Sequence, residues 1–175
     1  MKKLFHALNT LAALLLTTLG CSVAQAGSSP IDGKVWTQTD KIEYYFADSS
    51  TPPDYHRSYS LTVTKTEARI VVDSYGTTLL DKTYKLKKGQ WAKAVEALKK
   101  LDIQSKKKGK AAPCSGGTTE SFYLYAGSES LFRGYLDNCA DELSTMVVGS
   151  EIIPRVLGFL YPKPVEELVN ETRVW

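Results

Sequence analysis

Residues 114–139, CSGGTTESFYLYAGSESLFRGYLDNC, decide how the rest of the chain is read. Two runs of alternating side chains flank a Gly-Ser pair, and a cysteine closes each end. Successive residues of a strand point to opposite sides of a sheet, so parity assigns the faces. With Gly127, Ser128 and Glu129 as a three-residue loop, Phe122 falls opposite Gly134 and Leu124 opposite Phe132 on one face. Tyr123 then meets Arg133, Tyr125 meets Leu131 and Ser121 meets Tyr135 on the other. A two-residue loop would pair Phe122 with Arg133 and mix the faces, which register normally avoids. The stretch therefore reads as a hairpin with an apolar inner face and an outer face of three tyrosines and an arginine. A disulfide between Cys114 and Cys139 would close a loop of about 25 residues and contribute ~3.5 kcal/mol by constraining the unfolded chain.

The cysteine count supports that bond. Met1 to Ala26 has the form of a bacterial export signal: Lys2 and Lys3, a short apolar run from Leu8 to Leu19, and Ala24-Gln25-Ala26 ahead of Gly27. The apolar run is too short to span a membrane. A competing signal is Leu19-Gly20-Cys21, a loose lipobox in which Cys21 would become a lipidated N-terminus, although Thr18 stands where a branched aliphatic residue is usual. Cleavage after Ala26 is the preferred reading and implies the periplasm. Lipidation would give an outer-membrane lipoprotein facing the periplasm, the one case with membrane contact, and secretion is a further destination. Of three cysteines, Cys21 belongs to the signal region and leaves Cys114 and Cys139 as an even pair, in a compartment where disulfides persist.

Residues 27–33 (GSSPIDG) read as a linker, and residues 34–175 as a single globular domain. Ile42, Tyr44 and Phe46 alternate with Glu43, Tyr45 and Ala47, the period-2 signal of a half-buried strand. Similar runs follow at 58–65, 67–73 and 78–86, separated by a Pro52-Pro53-Asp54 surface loop and a turn at Ser74-Tyr75-Gly76. Short links between such runs imply an antiparallel meander with one face on the core. From Gln90 to Leu101 the period changes: Trp91, Val95, Leu98 and Leu101 form one helical stripe. Lys106, Lys107, Lys108 and Lys110 then make a charged loop expected not to pack. Beyond the hairpin, residues 141–149 fit helix and strand about equally. Ser150 reads as the N-cap of a helix carrying Ile153, Val156, Leu157 and Leu160, ended by Pro162, and a second short helix starts at Pro164. A terminal Val174-Trp175 is expected to pack or to meet a partner. The fold class is therefore α+β: an antiparallel sheet of about five or six strands, meander plus clasped hairpin, with one packed helix and a C-terminal helical segment.

Catalytic signatures are sparse. His56 is the one histidine after the signal peptide, so sites needing two imidazoles are excluded. It sits in a Tyr-His-Arg loop with no nucleophile-elbow motif, and reads as structural. A Cys-His pair needs a free thiol, which a disulfide removes. Nineteen acidic residues leave a two-carboxylate glycan hydrolase as a third-ranked reading only. No cysteine or histidine spacing suits zinc, and Asp137, Asn138, Asp141 and Glu142 resemble a calcium loop only in being acidic. Residues 115–119 (SGGTT) lack the spacing and lysine of a phosphate-binding loop and read as a plain loop beside the disulfide. Nothing in the pattern calls for a metal or a cofactor, and the expectation is a protein without enzymatic activity.

Two features carry binding chemistry. Residues 82–110 hold eleven basic and two acidic side chains, against net negative flanks, so Lys106, Lys107, Lys108 and Lys110 suit an anionic envelope polymer or an acidic protein surface. Nucleic acid is not expected, since no reading motif is present. The second feature is the outward set Tyr123, Tyr125, Arg133 and Tyr135, residue types enriched at protein interfaces, provided that the C-terminal helices do not cover that face. The leading expectation is an exported, non-enzymatic binding protein of the envelope, such as an inhibitor or immunity protein acting against a periplasm-acting toxin or lytic enzyme. The alternative is a carbohydrate- or polyanion-binding envelope protein.

Overall fold

The computed structural model describes residues 28–112 and 114–173; the stretch read as an export signal, with Cys21, and the terminal Val174-Trp175 lie outside the described residues. In chain order the elements are strand β1 (Ser29–Pro30), helix α1 (Gly33–Gln38), strands β2 (Lys41–Ala47), β3 (Ser58–Thr64), β4 (Glu67–Ser74) and β5 (Thr77–Lys85), and helix α2 (Gln90–Lys99). Strands β6 (Gln104–Ser105), β7 (Thr119–Ala126), β8 (Glu129–Asp137) and β9 (Met146–Val147) follow, then helices α3 (Ile152–Leu157) and α4 (Val165–Asn170). One-turn 3-10 segments lie at Asp141–Leu143 and Gly158–Leu160. The fold is α+β. Six strands form an antiparallel sheet in the order β5-β4-β3-β2-β7-β8, and β1, β6 and β9 form a small second sheet.

Alternation places the core on one side of the large sheet. Ile42, Tyr44, Phe46, Tyr59, Leu61, Val63, Ala68, Ile70 and Val72 are buried there together with Phe122, Leu124 and Leu136. Onto this face pack Trp36 of α1, Ala94 and Leu98 of α2, Ile153 and Leu157 of α3, and Val165, Leu168 and Val169 of α4, all in one apolar cluster. Each fully buried large aliphatic or aromatic side chain contributes on the order of 2 kcal/mol, so this layer outweighs any surface ion pair. The α2 stripe is rotated from the expected one. Ala94 and Leu98 point straight inward, while Trp91, Val95 and Leu101 are half-buried at its margin, because alanine lets the helix sit close to the sheet.

Both outer hairpins share one construction. In β7–β8 the turn is two residues, Gly127-Ser128, with Ala126 paired to Glu129 and Tyr125 to Ser130; the register then shifts, and Leu124 pairs with Phe132. Leu131 is the extra residue of a bulge. The expected pairs of Phe122, Leu124, Tyr123 and Ser121 hold, whereas Tyr125 meets Ser130 rather than Leu131. A tight turn with positive φ at Gly127 (58°) matches strand twist, and the bulge restores the parity that such a turn would otherwise break. In β4–β5, Tyr75 and Gly76 have φ of 49° and 86°. Ser74 pairs with Thr77 and Asp73 with Thr78, after which the shift leaves Leu79 unpaired before Val72 meets Leu80.

Several local expectations are corrected. The stretch read as a linker is structured from Ser29 on: Ser29 and Pro30 pair with Ser105 and Gln104, Ile31 N–H donates to the Ile103 carbonyl at 3.2 Å, and Asp32 caps α1 by accepting the Lys34 amide at 2.8 Å. Ser150 does not cap α3. Glu151 occupies the N-cap position with φ 53°, and the Ser150 hydroxyl is committed elsewhere. Cys114 and Cys139 are joined, with Cα atoms 6.2 Å apart, so the disulfide clasps the base of the hairpin. Gly117 is packed against that bridge, since a Cβ there would lie 2.5 Å from Cys139 Cβ.

Candidate functional site

The outward face of the large sheet follows from the same alternation. Register lines up Arg69, Thr62, Glu43, Tyr123 and Arg133 in one row, Val71, Ser60, Tyr45, Ser121 and Tyr135 in the next, and Lys41, Tyr125 and Ser130 in a third. Since every helix buries its apolar side chains in the inward cluster, no helix among the described residues covers these rows. Tyr45 is 41% exposed and belongs with Tyr123, Tyr125 and Tyr135; its β2 position gave the parity, but the hairpin alone drew attention. The Tyr123 and Tyr125 rings stack at 6.2 Å and 29°. Lys41 Nζ sits 4.0 Å over the Tyr125 ring and 2.8 Å from Glu43 Oε1. Arg133 Nε donates to Ser130 Oγ at 2.9 Å, which holds the guanidinium along the face. Partial burial and the nearby Glu43 carboxylate raise the Tyr125 hydroxyl above its ordinary range, so it stays a donor.

The lysine segment is only partly free. Lys106 Nζ donates to both Asp141 carboxylate oxygens at 2.8 Å and to the Asp141 carbonyl at 3.0 Å. The Gly109 amide bonds the Glu142 carbonyl, and a Cβ at Gly109 would meet that oxygen at 2.9 Å. The expectation of an unpacked loop is thus overturned at Lys106 and Gly109, because the acidic turn after Cys139 supplies the partners. Among the described residues Lys107, Lys108 and Lys110 form no ion pair within 4.0 Å.

The two surfaces meet along β8. The Lys106 amide bonds the Thr145 carbonyl at 2.9 Å, and the Thr145 amide bonds the Tyr135 carbonyl at 2.8 Å. Asp137 accepts the Tyr135 hydroxyl at 3.2 Å. The Ala140 and Cys139 amides hold the Asp137 carboxyl below its usual range, and Tyr135 and Lys108 add to this. The lysine segment is thereby tied to the Tyr135 end of the tyrosine rows at Lys106, and Lys108 lies near Asp137.

On the inward side, where the end of β2–β3 meets α3 and α4, lies a cleft of about 630 Å³ lined in part by Phe46, Tyr59, Glu151, Phe159, Tyr161 and Glu166. Behind it stands Glu120, which sequence reasoning missed although parity with Phe122 placed it inward. It is fully buried. Its carboxylate accepts the Tyr44 hydroxyl at 2.9 Å, the Asn138 side-chain amide at 3.1 Å, the Ser150 hydroxyl at 2.7 Å and the Glu151 amide. Burial, followed by the Glu120 and Glu166 charges, raises the Glu151 carboxyl above its ordinary range.

His56 is closed off. Its ring is buried, stacks on Tyr75 at 3.9 Å and contacts Ser58 Oγ at 3.4 Å, and that oxygen already accepts the Asp48 amide at 3.0 Å. The geometry is that of a packed loop anchor. Among the described residues no group of three or more His, Cys, Asp or Glu side chains is arranged to hold a metal ion, and no helix is long and apolar enough to cross a membrane. No protein-family profile, curated protein or solved structure matches the chain.

Proposed function

We propose that this chain is an exported binding protein of the bacterial envelope, and that it engages a protein partner through the outward tyrosine face and the adjoining lysines, as an inhibitor or immunity protein would. The observation that carries the reading is the one-sided layering: among the described residues α1, α2, α3 and α4 all bury their apolar side chains on the inward face, leaving Tyr45, Tyr123, Tyr125, Tyr135 and Arg133 on the other. A six-stranded sheet face bearing tyrosine and arginine supplies large rigid contact area at low entropic cost. Lys107, Lys108 and Lys110 at its rim suit a partner with an acidic border and speed encounter.

The test is affinity capture from an envelope fraction with wild type and with Tyr123→Ala/Arg133→Ala. The expected result is a specific protein lost from the double variant, with each truncation costing about 2 kcal/mol, mostly in dissociation rate. Lys107→Ser/Lys108→Ser/Lys110→Ser should slow association and reduce its salt dependence. Capture unaffected by either set removes this surface from the reading, and recovery of glycan alone would favour a carbohydrate-binding protein.

A further inference from the structure

Strand β5 is an edge of the large sheet, and nothing in the reading above uses it. Its straight part begins at Leu80, after the bulge at Leu79, and runs through Leu86, whose amide bonds the Thr66 carbonyl at 2.8 Å. That bond makes Thr66 and Leu86 a hydrogen-bonded pair, and two-residue alternation puts Tyr84, Lys82 and Leu80 in the same class on β5. The amides and carbonyls of Asp81, Thr83 and Lys85 therefore point away from β4. Among the described residues no strand pairs with that side, and along β5 only Leu80 and Tyr84 are half-buried, the rest being exposed. A row of free backbone groups of this kind is a template for a further strand.

The side chains of the edge say which strand fits. Two copies related by a two-fold axis perpendicular to the sheet run antiparallel here and set like faces side by side. Centred on Asp81, the contact would oppose Asp81 to itself, and centred on Lys82 it would oppose Lys82 to itself; like charges directly opposite are destabilising. Thr83 is the midpoint of the straight stretch from Leu80 to Leu86, and centring there removes both conflicts. On the outward face Asp81 then meets Lys85 of the second copy, twice by symmetry. Asp81 already accepts Arg69 at 2.8 and 2.6 Å, but a carboxylate has lone pairs for further donors. Lys85 makes no ion pair within 4.0 Å among the described residues, and Glu67 opposite it in the ladder continues the alternation of sign across the seam. On the inward face Lys82 falls beside Tyr84 of the second copy, and Leu80 beside Leu86, which extends the apolar margin to which all but the lysine belong. An inward lysine is a common guard on an edge strand; this one rejects the register that opposes it to itself and leaves the Thr83-centred register open.

We propose that β5 pairs with β5 of a second copy of this chain, antiparallel and with Thr83 opposite Thr83, so that two six-stranded sheets become one. Backbone bonds from Asp81, Thr83 and Lys85 of each copy close the seam. The two outward tyrosine faces then lie on the same side of the joined sheet, whatever each of them binds.

The experiment is sedimentation equilibrium on residues 27–175 with intact disulfide, supported by cysteine cross-linking. The mass should rise from one chain to two as concentration increases, with the midpoint below about 1 mM. Thr83→Pro removes an outward amide that β4 does not use, a position where an edge strand tolerates proline, and should abolish the dimer while leaving the far-ultraviolet circular dichroism unchanged. Lys85→Asp should weaken the dimer about ten-fold, because each change alters two symmetry-related contacts, and Asp81→Lys/Lys85→Asp should recover most of that loss. Thr83→Cys should give a covalent dimer on mild oxidation, and Asp81→Cys should not. A monomer throughout the concentration range, a dimer indifferent to Thr83→Pro, cross-linking that favours Asp81→Cys, or a dimer lost in Tyr123→Ala/Arg133→Ala would each overturn the assignment. Should Thr83→Pro fail to fold, the charge reversal and its double variant still decide it. Capture of a partner by the tyrosine face is measured separately, so the two readings fail separately.

Discussion

Both carboxylate oxygens of Glu120 accept the backbone N–H of Glu151 at 3.1 Å, fastening strand β7 to the residue that opens helix α3. The same carboxylate holds Tyr44, Asn138 and Ser150. Removing it strands four donors at once, the buried Tyr44 hydroxyl among them. Glu120→Ala should therefore lower unfolding free energy by about 3 kcal/mol or more, while Glu120→Gln, which keeps one acceptor oxygen, should lower it less. Urea denaturation of the three proteins measures this, and equal stability of Glu120→Ala and wild type would show that the network is dispensable.

The disulfide Cys114–Cys139 closes a separation of 25 residues. Cys114→Ala/Cys139→Ala should cost about 2–5 kcal/mol, and residues 27–175 purified without reductant should contain no titratable thiol. Gly117→Ala should damage the same corner, because its Cβ has no space beside Cys139. Thermal melts with and without reductant separate the contributions.

Gly134 is the inward residue opposite Phe122, and its missing side chain makes room for another. A Cβ there would lie 2.6 Å from Met146 Sδ and 2.9 Å from the Phe132 ring. Gly134→Ala should destabilise by about 1–3 kcal/mol through overpacking, and Met146→Ala in the same background should recover part of the loss. Failure of the second change to compensate would mean that the clash is taken up by Phe132.

Glu151 has a folded-state pKa above its ordinary value, through burial and the charges of Glu120 and Glu166. The native state thus holds the proton more tightly than the unfolded chain, and the associated stabilisation is complete below the ordinary carboxylate range and lost as pH rises through the folded value. Glu151→Gln should consequently raise the urea midpoint at pH 7 and make little difference at pH 3. The group is partly exposed, so the gain should stay under about 1 kcal/mol. A variant less stable than wild type at pH 7 would show that the carboxylate is favourable in place.

Parity was enough to place Phe122, Leu124, Tyr123 and Arg133 on their faces, because a two-fold period leaves only two choices per strand. It missed the two-residue turn, since a bulge at Leu131 compensates for it and a bulge has no period of its own. Tyr123, Tyr125, Arg133 and Tyr135 were legible as an outward set; that the helices leave them uncovered was not, because which face a helix takes depends on packing between distant segments. Lys106 looked like its neighbours, and only the approach of Asp141 from another turn distinguishes it. Glu120 was readable as an inward carboxylate in an apolar series, but its donors come from β2, the end of β8 and the entry to α3, positions that no local spacing connects. The cleft is built the same way, from strand ends and helices far apart in sequence.

The two outer hairpins repeat one pattern, a two-residue turn, two pairs and an unpaired leucine, Leu79 in one and Leu131 in the other. Each fixes its own register from residues a few positions apart, so each should assemble on the microsecond scale of an isolated hairpin. The pairing of β2 with β7 instead joins residues some 76 positions apart, as Tyr44 and Glu120 are, and loop closure of that length is what slows β-rich chains. Folding is thus expected to be a docking of two pre-registered ribbons onto a central seam, with the seam as its slow step. In a φ-value series, Val72 and Phe132 should then report early order, and Ile42 should report the barrier itself.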